Sequence, residues 1–327
     1  MKPTSISLAV AMIQLGSLQS FAAESVPLTD TTAVVFASID AGREALQTPD
    51  RYTQALSRFD LESRLRTRDA VTADDLMRFS AEQVVAWSDE ERAKMESIIA
   101  SVAQRFSKYR LPLPPNILLI QTTGKEEGDA AYCRRHAVIL PRRYVGFPAA
   151  QLEPIFIHEL FHVLSSHNEA LRNSLYEIIG FKPCPEIALP ESLADLKITN
   201  PDGPLLNYYI ALDVDGQKRL AVPLLYSPER FDLRQNRSFF QYLKFRLLVV
   251  ERDGVDWSVA AAADNPILLD PLQTPSFHQQ IGSNTKYILH PDEVLADNFM
   301  HLMMRKPDLP NPEIVSKMAE QIGHKDK

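Results

Sequence analysis

Cysteine is nearly absent: the 327-residue chain has two, Cys133 and Cys184. Two thiols cannot build a cysteine-only zinc site. In an oxidising compartment they could form one disulfide, a question that their spacing leaves open. Long apolar runs are missing too. None approaches the roughly 20 residues that a bilayer-spanning helix needs, so no membrane span is expected. Nor is there an excess of positive charge. With 35 Lys and Arg against 42 Asp and Glu the formal charge is −7 at pH 7. That balance argues against nucleic acid or an anionic membrane as partner. The chain shows no internal repeats and no low-complexity segment. What is present is a globular composition, 45% hydrophobic and 24% charged, at a length sufficient for a substantial core.

The N-terminus has the layout of an export signal over residues 1–22. Lys2 supplies positive charge, Ile6 to Gly16 a short apolar stretch, and Ser20-Phe21-Ala22 the small residues near a cleavage point. An N-terminal core helix is the plainer alternative. With cleavage the mature chain starts near Ala23 and is periplasmic or secreted. No cysteine lies there, so no lipid anchor is expected.

Residues 23–110 read as a helical region. Thr72-Ala-Asp-Asp75 and Ser88-Asp-Glu-Glu91 are capping-box starts. The second leads into Met95, Ile98, Ile99, Val102 and Phe106, the spacing of an amphipathic helix of about five turns. After the Pro-rich break at 111–115, residues 111–327 read as one catalytic region. Residues 116–122 and 136–140 are expected strands, and a long helix is expected over 149–167. Asp215-Gly216 marks a hairpin between 208–214 and 219–226. Residues 238–251 are a further strand candidate, so inserted hairpins cover about 205–252. A last helix is expected from Pro291 to before Pro307. The order of elements gives an α+β class. The pairs Arg134-Arg135 and Arg142-Arg143 read as solvated, although near an edge strand they could attract acidic substrate residues. Phe239, Phe240, Tyr242 and Phe245 read as core strand residues.

Chemistry concentrates in His158-Glu159-Leu160-Phe161-His162. Positions i and i+4 put both imidazoles on one helix face, where they can share a metal. Glu159 leaves the adjacent face, within reach of a water held by that metal but not as a ligand. Zn2+ suits such donors, lowers the pKa of bound water, and leaves Glu159 to act as general base. The surrounding residues are apolar nearly all round the helix. Two histidines and a glutamate would be costly there without partners, and a metal supplies them.

A third ligand is needed. The extended pattern HExxHxxGxxH fails, because Ser165 and Asn168 stand where it requires glycine and histidine. A downstream glutamate in an ExxxD arrangement is the other option, and two exist. Glu191 precedes Asp195, and Glu293 precedes Asp297. In either case the Asp, one turn on, could accept the other N–H of a ligand histidine. Sequence proximity favours Glu191. The longer, apolar helix of Glu293, with Pro291 correctly at its start, favours Glu293. The weight falls on Glu293.

His158-Glu159-Leu160-Phe161-His162 together with Glu293-Val-Leu-Ala-Asp297 resembles the gluzincin group of zinc metallopeptidases, to which thermolysin belongs. The stretches HELFHVLSSHN, KITNPDGP and GSNTKYILHPDEVLADNF are similar to a set of uncharacterised exported bacterial proteins thought to be zinc peptidases. The first resemblance implies a zincin-like fold: a small mixed sheet packed on a central zinc helix, and a helical part carrying the glutamate. It also implies an edge strand that holds an extended peptide, and residues 131–140 match its position. The gap of 293 − 162 = 131 residues is far longer than in thermolysin, which leaves the substrate cleft open to reshaping.

The leading reading is an exported zinc metallopeptidase acting on a peptide or protein substrate, with His158, His162 and Glu293 as metal ligands and Glu159 as base. A zinc-containing binding or scaffold protein without peptidase activity is the alternative, and a metal-free structural protein the third. An oxyanion donor could come from Tyr287, His278 or His290, with Tyr208 and Tyr209 weaker candidates.

Overall fold

The computed structural model describes residues 25–323. The signal segment expected over residues 1–22 lies outside the described residues. The region expected to be helical opens instead with two strands, β1 (Ser25–Pro27) and β2 (Ala33–Phe36). An apolar run of four residues is too short for its periodicity to separate strand from helix. The rest of that region is helical as expected: α1 (Ile39–Gln47), α2 (Arg51–Ala55), α3 (Arg58–Leu65), α4 (Ala73–Glu82) and α5 (Asp89–Phe106). Both expected capping boxes form, Thr72 with Asp75 and Ser88 with Glu91. All five apolar residues expected on the inner face of α5 are buried.

β3 (Asn116–Thr122) pairs parallel with β2 and with β5 (Ala137–Pro141). β4 (Tyr132–Arg134) lies antiparallel on β5 and forms the sheet edge, giving the order β1-β2-β3-β5-β4. Arg134 is a correction to the solvated basic pair. It is buried, its guanidinium donating to Asp50 at 2.8 Å and to the carbonyls of Leu46 and Thr48 at 3.0 and 2.9 Å. It ties the edge strand to the α1–α2 connection. Arg142 and Arg143 remain half-exposed, beside Glu91 and Asp129.

After α6 (Arg142–Val145), α7 spans Ala149–His167, the bounds expected from sequence. Leu152, Phe156, Ile157, Leu160, Phe161, Val163 and Leu164 are all fully buried, which makes α7 the central helix. α8 (Glu169–Ile178) follows, its first turn capped by Asn168.

A second, antiparallel sheet is inserted next. It comprises β6 (Phe181–Pro183), β7 (Tyr208–Val214), β8 (Gln217–Tyr226), β9 (Lys244–Asp253) and β10 (Asp256–Val259), in the order β10-β9-β8-β7-β6. The one-turn helix α9 (Glu191–Ala194) lies between β6 and β7. Asp215 and Gly216 both take positive φ, 51° and 76°, the two-residue turn that matches strand twist. β9 starts at Lys244 because Ser238 and Gln241 cap a single turn of 3-10 helix over Phe239–Gln241. Phe239, Phe240 and Tyr242 therefore lie outside the strand: Phe239 and Tyr242 are buried but Phe240 is 45% exposed, and of the four only Phe245 is a core strand residue. β11 (Ala261–Ala262) and β12 (Asn265–Pro266) pair with each other, and β13 (Leu268–Leu269) adds to β9.

The chain closes with α10 (Pro275–Ile281), α11 (Pro291–Met304) and α12 (Pro312–Ile322). α11 packs along α7, with Phe299 5.5 Å from Phe161 and 5.7 Å from Phe106 between ring centroids. α12 was not anticipated; Pro307, Pro310 and Pro312 obscured an Ile314–Met318–Ile322 stripe that is buried. Helices alternate with groups of strands around several small sheets, a mixed arrangement consistent with an α+β class. No helix of the described residues is long and apolar enough to cross a membrane.

Candidate metal centre

One turn apart on α7, His158 and His162 leave the same face, their ring centroids 4.8 Å apart. α11 runs against that face and delivers Glu293. Its Oε2 lies 3.1 Å from His158 Nε2 and 3.4 Å from His162 Nε2, and the three donor atoms lie within 4.8 Å of one another. Donors bound at about 2.0–2.1 Å to a tetrahedral ion stand about 3.3 Å apart. The histidine–glutamate spacings fit that shell, so this group could hold a metal ion. Two imidazole nitrogens and a carboxylate suit zinc and other first-row divalent ions. Glu191 is exposed on α9 and is not part of the group.

Both imidazoles are oriented from behind. His158 Nδ1 meets Asp297 Oδ1 at 2.9 Å, and His162 Nδ1 meets Asp292 Oδ2 at 2.6 Å. Each carboxylate thereby takes the Nδ1–H tautomer and turns Nε2 towards Glu293. Sequence reasoning anticipated an Asp one turn beyond the glutamate, and Asp297 is placed there. It missed Asp292, because an acid in a first helical turn reads as a complement to the helix dipole. These carboxylates are held in turn. Thr285 donates to Asp297, and Ser165 and Tyr176 donate to Asp292. Asn200 Nδ2 donates to Glu293 Oε1 at 2.6 Å. Asn200 is fixed because its neighbour Thr199 donates twice to buried Asp60, at 2.9 and 2.6 Å, and accepts from Arg64 at 3.0 Å.

Glu159 is buried, 4% exposed. The Cys133 thiol donates to its carbonyl at 3.1 Å and faces its Oε2 at 3.4 Å. Asp202 Oδ1 accepts from the Cys133 backbone N–H at 2.7 Å. Cys133 and Cys184 are both free thiols, so the disulfide left open by the sequence is not formed. Burial lifts the Glu159 carboxyl above its usual range, against the pull of His162 and His158. Five carboxyl groups (Glu159, Asp202, Asp292, Glu293 and Asp297) thus surround two imidazoles. Among the described residues no lysine or arginine hydrogen-bonds or ion-pairs with any of them. A buried excess of negative charge of this kind is costly unless a cation offsets it.

Without metal, protons are that cation. Burial pushes His158 down, but hydrogen bonds to Asp297 and Glu293 outweigh it and hold the imidazole up at about 10. His162 is raised as well, burial being outweighed by Asp202, Glu293 and Asp292. The His158 shift stabilises the metal-free fold fully below the unfolded value near 6.5, and this contribution is lost as pH rises through about 10. Metal ligation requires neutral imidazoles. Metal uptake at pH 7 is therefore expected to release protons, and affinity to rise from neutrality towards pH 10. Titration calorimetry in two buffers of different ionisation enthalpy will show this. A heat independent of buffer would mean that the histidines are already neutral before metal arrives.

Of the oxyanion candidates, Tyr287 is at the site, its ring 6.2 Å from that of His158. Glu293 foremost, then burial, raises its phenol, so it stays protonated and able to donate. His290 instead caps α11, its Nδ1 accepting from Asp292 N at 3.2 Å, and burial holds it down at about 4. Tyr208 is bonded to Arg172 and Asn173, Tyr209 packs on Trp257, and His278 packs on Phe277. A cleft of about 670 Å³ runs from His162 and Cys133 along β4 towards the start of α2.

Comparison of the chain with protein-family models, with characterised proteins and with solved structures gave no match.

Proposed function

We propose that the chain is a zinc-dependent metallopeptidase of the gluzincin type, hydrolysing peptide or amide bonds, and that its fold is zincin-like. The observation that carries this reading is the convergence of His158, His162 and Glu293 with Glu159 buried between the histidines. A metal scaffold has no need of a buried carboxylate at that point. The mixed sheet beside α7, with the short antiparallel edge strand β4, supports the fold assignment, and so does the delivery of Glu293 on a separate helix. Residues 1–22 support export to the periplasm or exterior.

His158, His162 and Glu293 would hold the ion, which when bound would lower the pKa of water and polarise the substrate carbonyl. Glu159 would take the proton of the attacking water and pass it to the leaving nitrogen. Asp292 and Asp297 would keep both Nε2 lone pairs aimed at one point. Tyr287 would donate to the oxygen that becomes negative.

One observation favours the second reading, a zinc-containing binding or scaffold protein: Asp202 already occupies the Cys133 N–H on the edge strand. A digest decides between them. The zinc-loaded chain, incubated with a complex peptide mixture, is expected to produce new termini by mass spectrometry, abolished by chelator. One bound zinc per chain with no new termini would leave the scaffold reading.

A further inference from the structure

The cleft beside β4 has a charge opposite to that of the chain. Arg51, Arg135 and Arg172 line it, and none has a carboxylate partner among the described residues. Arg51 opens α2, next to Asp50, which is bonded to Arg134 of the edge strand. Arg135 stands in the β4–β5 turn at φ 57°. Arg172 donates only to the Tyr208 hydroxyl at 2.8 Å and to the Ser165 carbonyl at 3.2 Å. His136 and His167 add to the same rim; burial first, then Arg135 and His167, pushes the His136 imidazole down.

Of the acids in the cleft, Asp50 is paired with Arg134; Asp202 accepts only from the Cys133 N–H, and Glu169 stands at the first turn of α8. Three guanidinium groups without a carboxylate partner thus stand with two carboxylates without a cationic one, Glu169 and Asp202, and the four arginines of the lining outnumber its three acids in a chain of net charge −7. A surplus set against the overall charge is a local feature of this cleft and not a spill-over from a basic surface. Guanidinium groups without a carboxylate partner on a concave wall are suited to carboxylates, which they bind through two parallel N–H donors.

We infer that the cleft selects acidic peptides, with Arg51 and Arg135 reading carboxylates of a chain laid along β4. This rests on the peptidase reading for what happens to the bound chain, but not for the binding itself. Arg135 follows Arg134, the last residue of β4, two residues beyond Cys133. The carboxylates recognised are therefore those within two or three residues of the bond nearest His162. Arg172 sits deeper, and its bonds to Tyr208 and Ser165 give it a structural duty as well, so it is left out of the test.

The test uses the zinc-loaded Glu159→Gln chain, which binds without cleaving, and two fluorescent decapeptides that differ only in two Glu or two Lys residues. Two guanidinium–carboxylate contacts are expected to favour the Glu peptide by about tenfold. The preference is expected to fall to within about twofold in the Arg51→Glu, Arg135→Asn chain. Both substitutions suit their positions, an acid in a first helical turn and Asn in a left-handed turn, and melting temperature will confirm folding. Equal binding of the two peptides, no binding of either, or a preference untouched by the double substitution would each overturn the inference. Cleavage by the wild-type chain is read separately. A retained preference without cleavage would overturn the peptidase reading and leave the acidic-peptide cleft standing.

Discussion

Replacing Glu293 by Ala is expected to reduce metal affinity by more than about 100-fold, whereas Glu191→Ala leaves it unchanged. Even an outer residue that orients a metal ligand is typically worth about 10- to 100-fold, and Glu293 supplies a ligand itself. Its carboxylate is also the point where both histidine Nε2 atoms and the Asn200 amide converge. Its removal takes away the acceptor that all three share, while His158 and His162 keep Asp297 and Asp292. Asp292→Ala and Asp297→Ala should fall between, at about 10- to 100-fold, because each frees only one imidazole to turn. Elemental analysis of the purified chains, with calorimetric titration of the metal, checks the series. Loss of metal in Glu191→Ala with retention in Glu293→Ala would refute the assignment.

Glu159→Gln is expected to keep the metal and to lower hydrolysis by about 10³- to 10⁴-fold. Glutamine preserves the volume of a buried side chain and can still accept from the Cys133 thiol, but it cannot take a proton. Unchanged metal content with lost turnover separates a base from a ligand. If Glu159→Gln instead cleaves as well as the parent chain, the general base lies elsewhere; Asp202, whose carboxylate lies within 4.8 Å of the Glu159 carboxylate and the Cys133 thiol, would be the residue to replace next.

Much of the site was legible in sequence because it lies on two helices whose periodicity and caps are local signals. The expected bounds of α7, 149–167, match the helix observed. α11 was marked by Pro291 and by an apolar stripe through Phe299. The His158–His162 and Glu293–Asp297 spacings are intrahelical and read directly from the 3.6-residue repeat. What escaped was long-range. Arg134 reads as solvent-facing until Asp50, 84 residues earlier, is folded against it. Asn200 and Asp202 lie in a Pro- and Gly-rich segment without periodicity, and only the anchoring of Thr199 on Asp60 brings them to the site. β1 and β2 were too short to reveal themselves, although β2 supplies a parallel neighbour for β3. The burial of Cys133 beside Glu159 has no sequence signature, since one cysteine in a strand carries none.

The inserted antiparallel sheet also governs the order in which the centre can be assembled. Bringing Glu293 to His162 closes a loop of 293 − 162 = 131 residues. By chain entropy this costs about 1.3 kcal/mol more than the 29-residue closure that Glu191 would have required. The intervening strands β7, β8 and β9 pair with close neighbours and bury a core of their own around Ile187, Leu206, Val222 and Leu248. Once they have condensed, the effective separation between the ligand helices shrinks. An unfinished chain holds the two histidines without the carboxylate, a weak site for any ion. On the proposed metal site, firm capture of an ion is expected only once the insertion has folded and α11 has docked on α7.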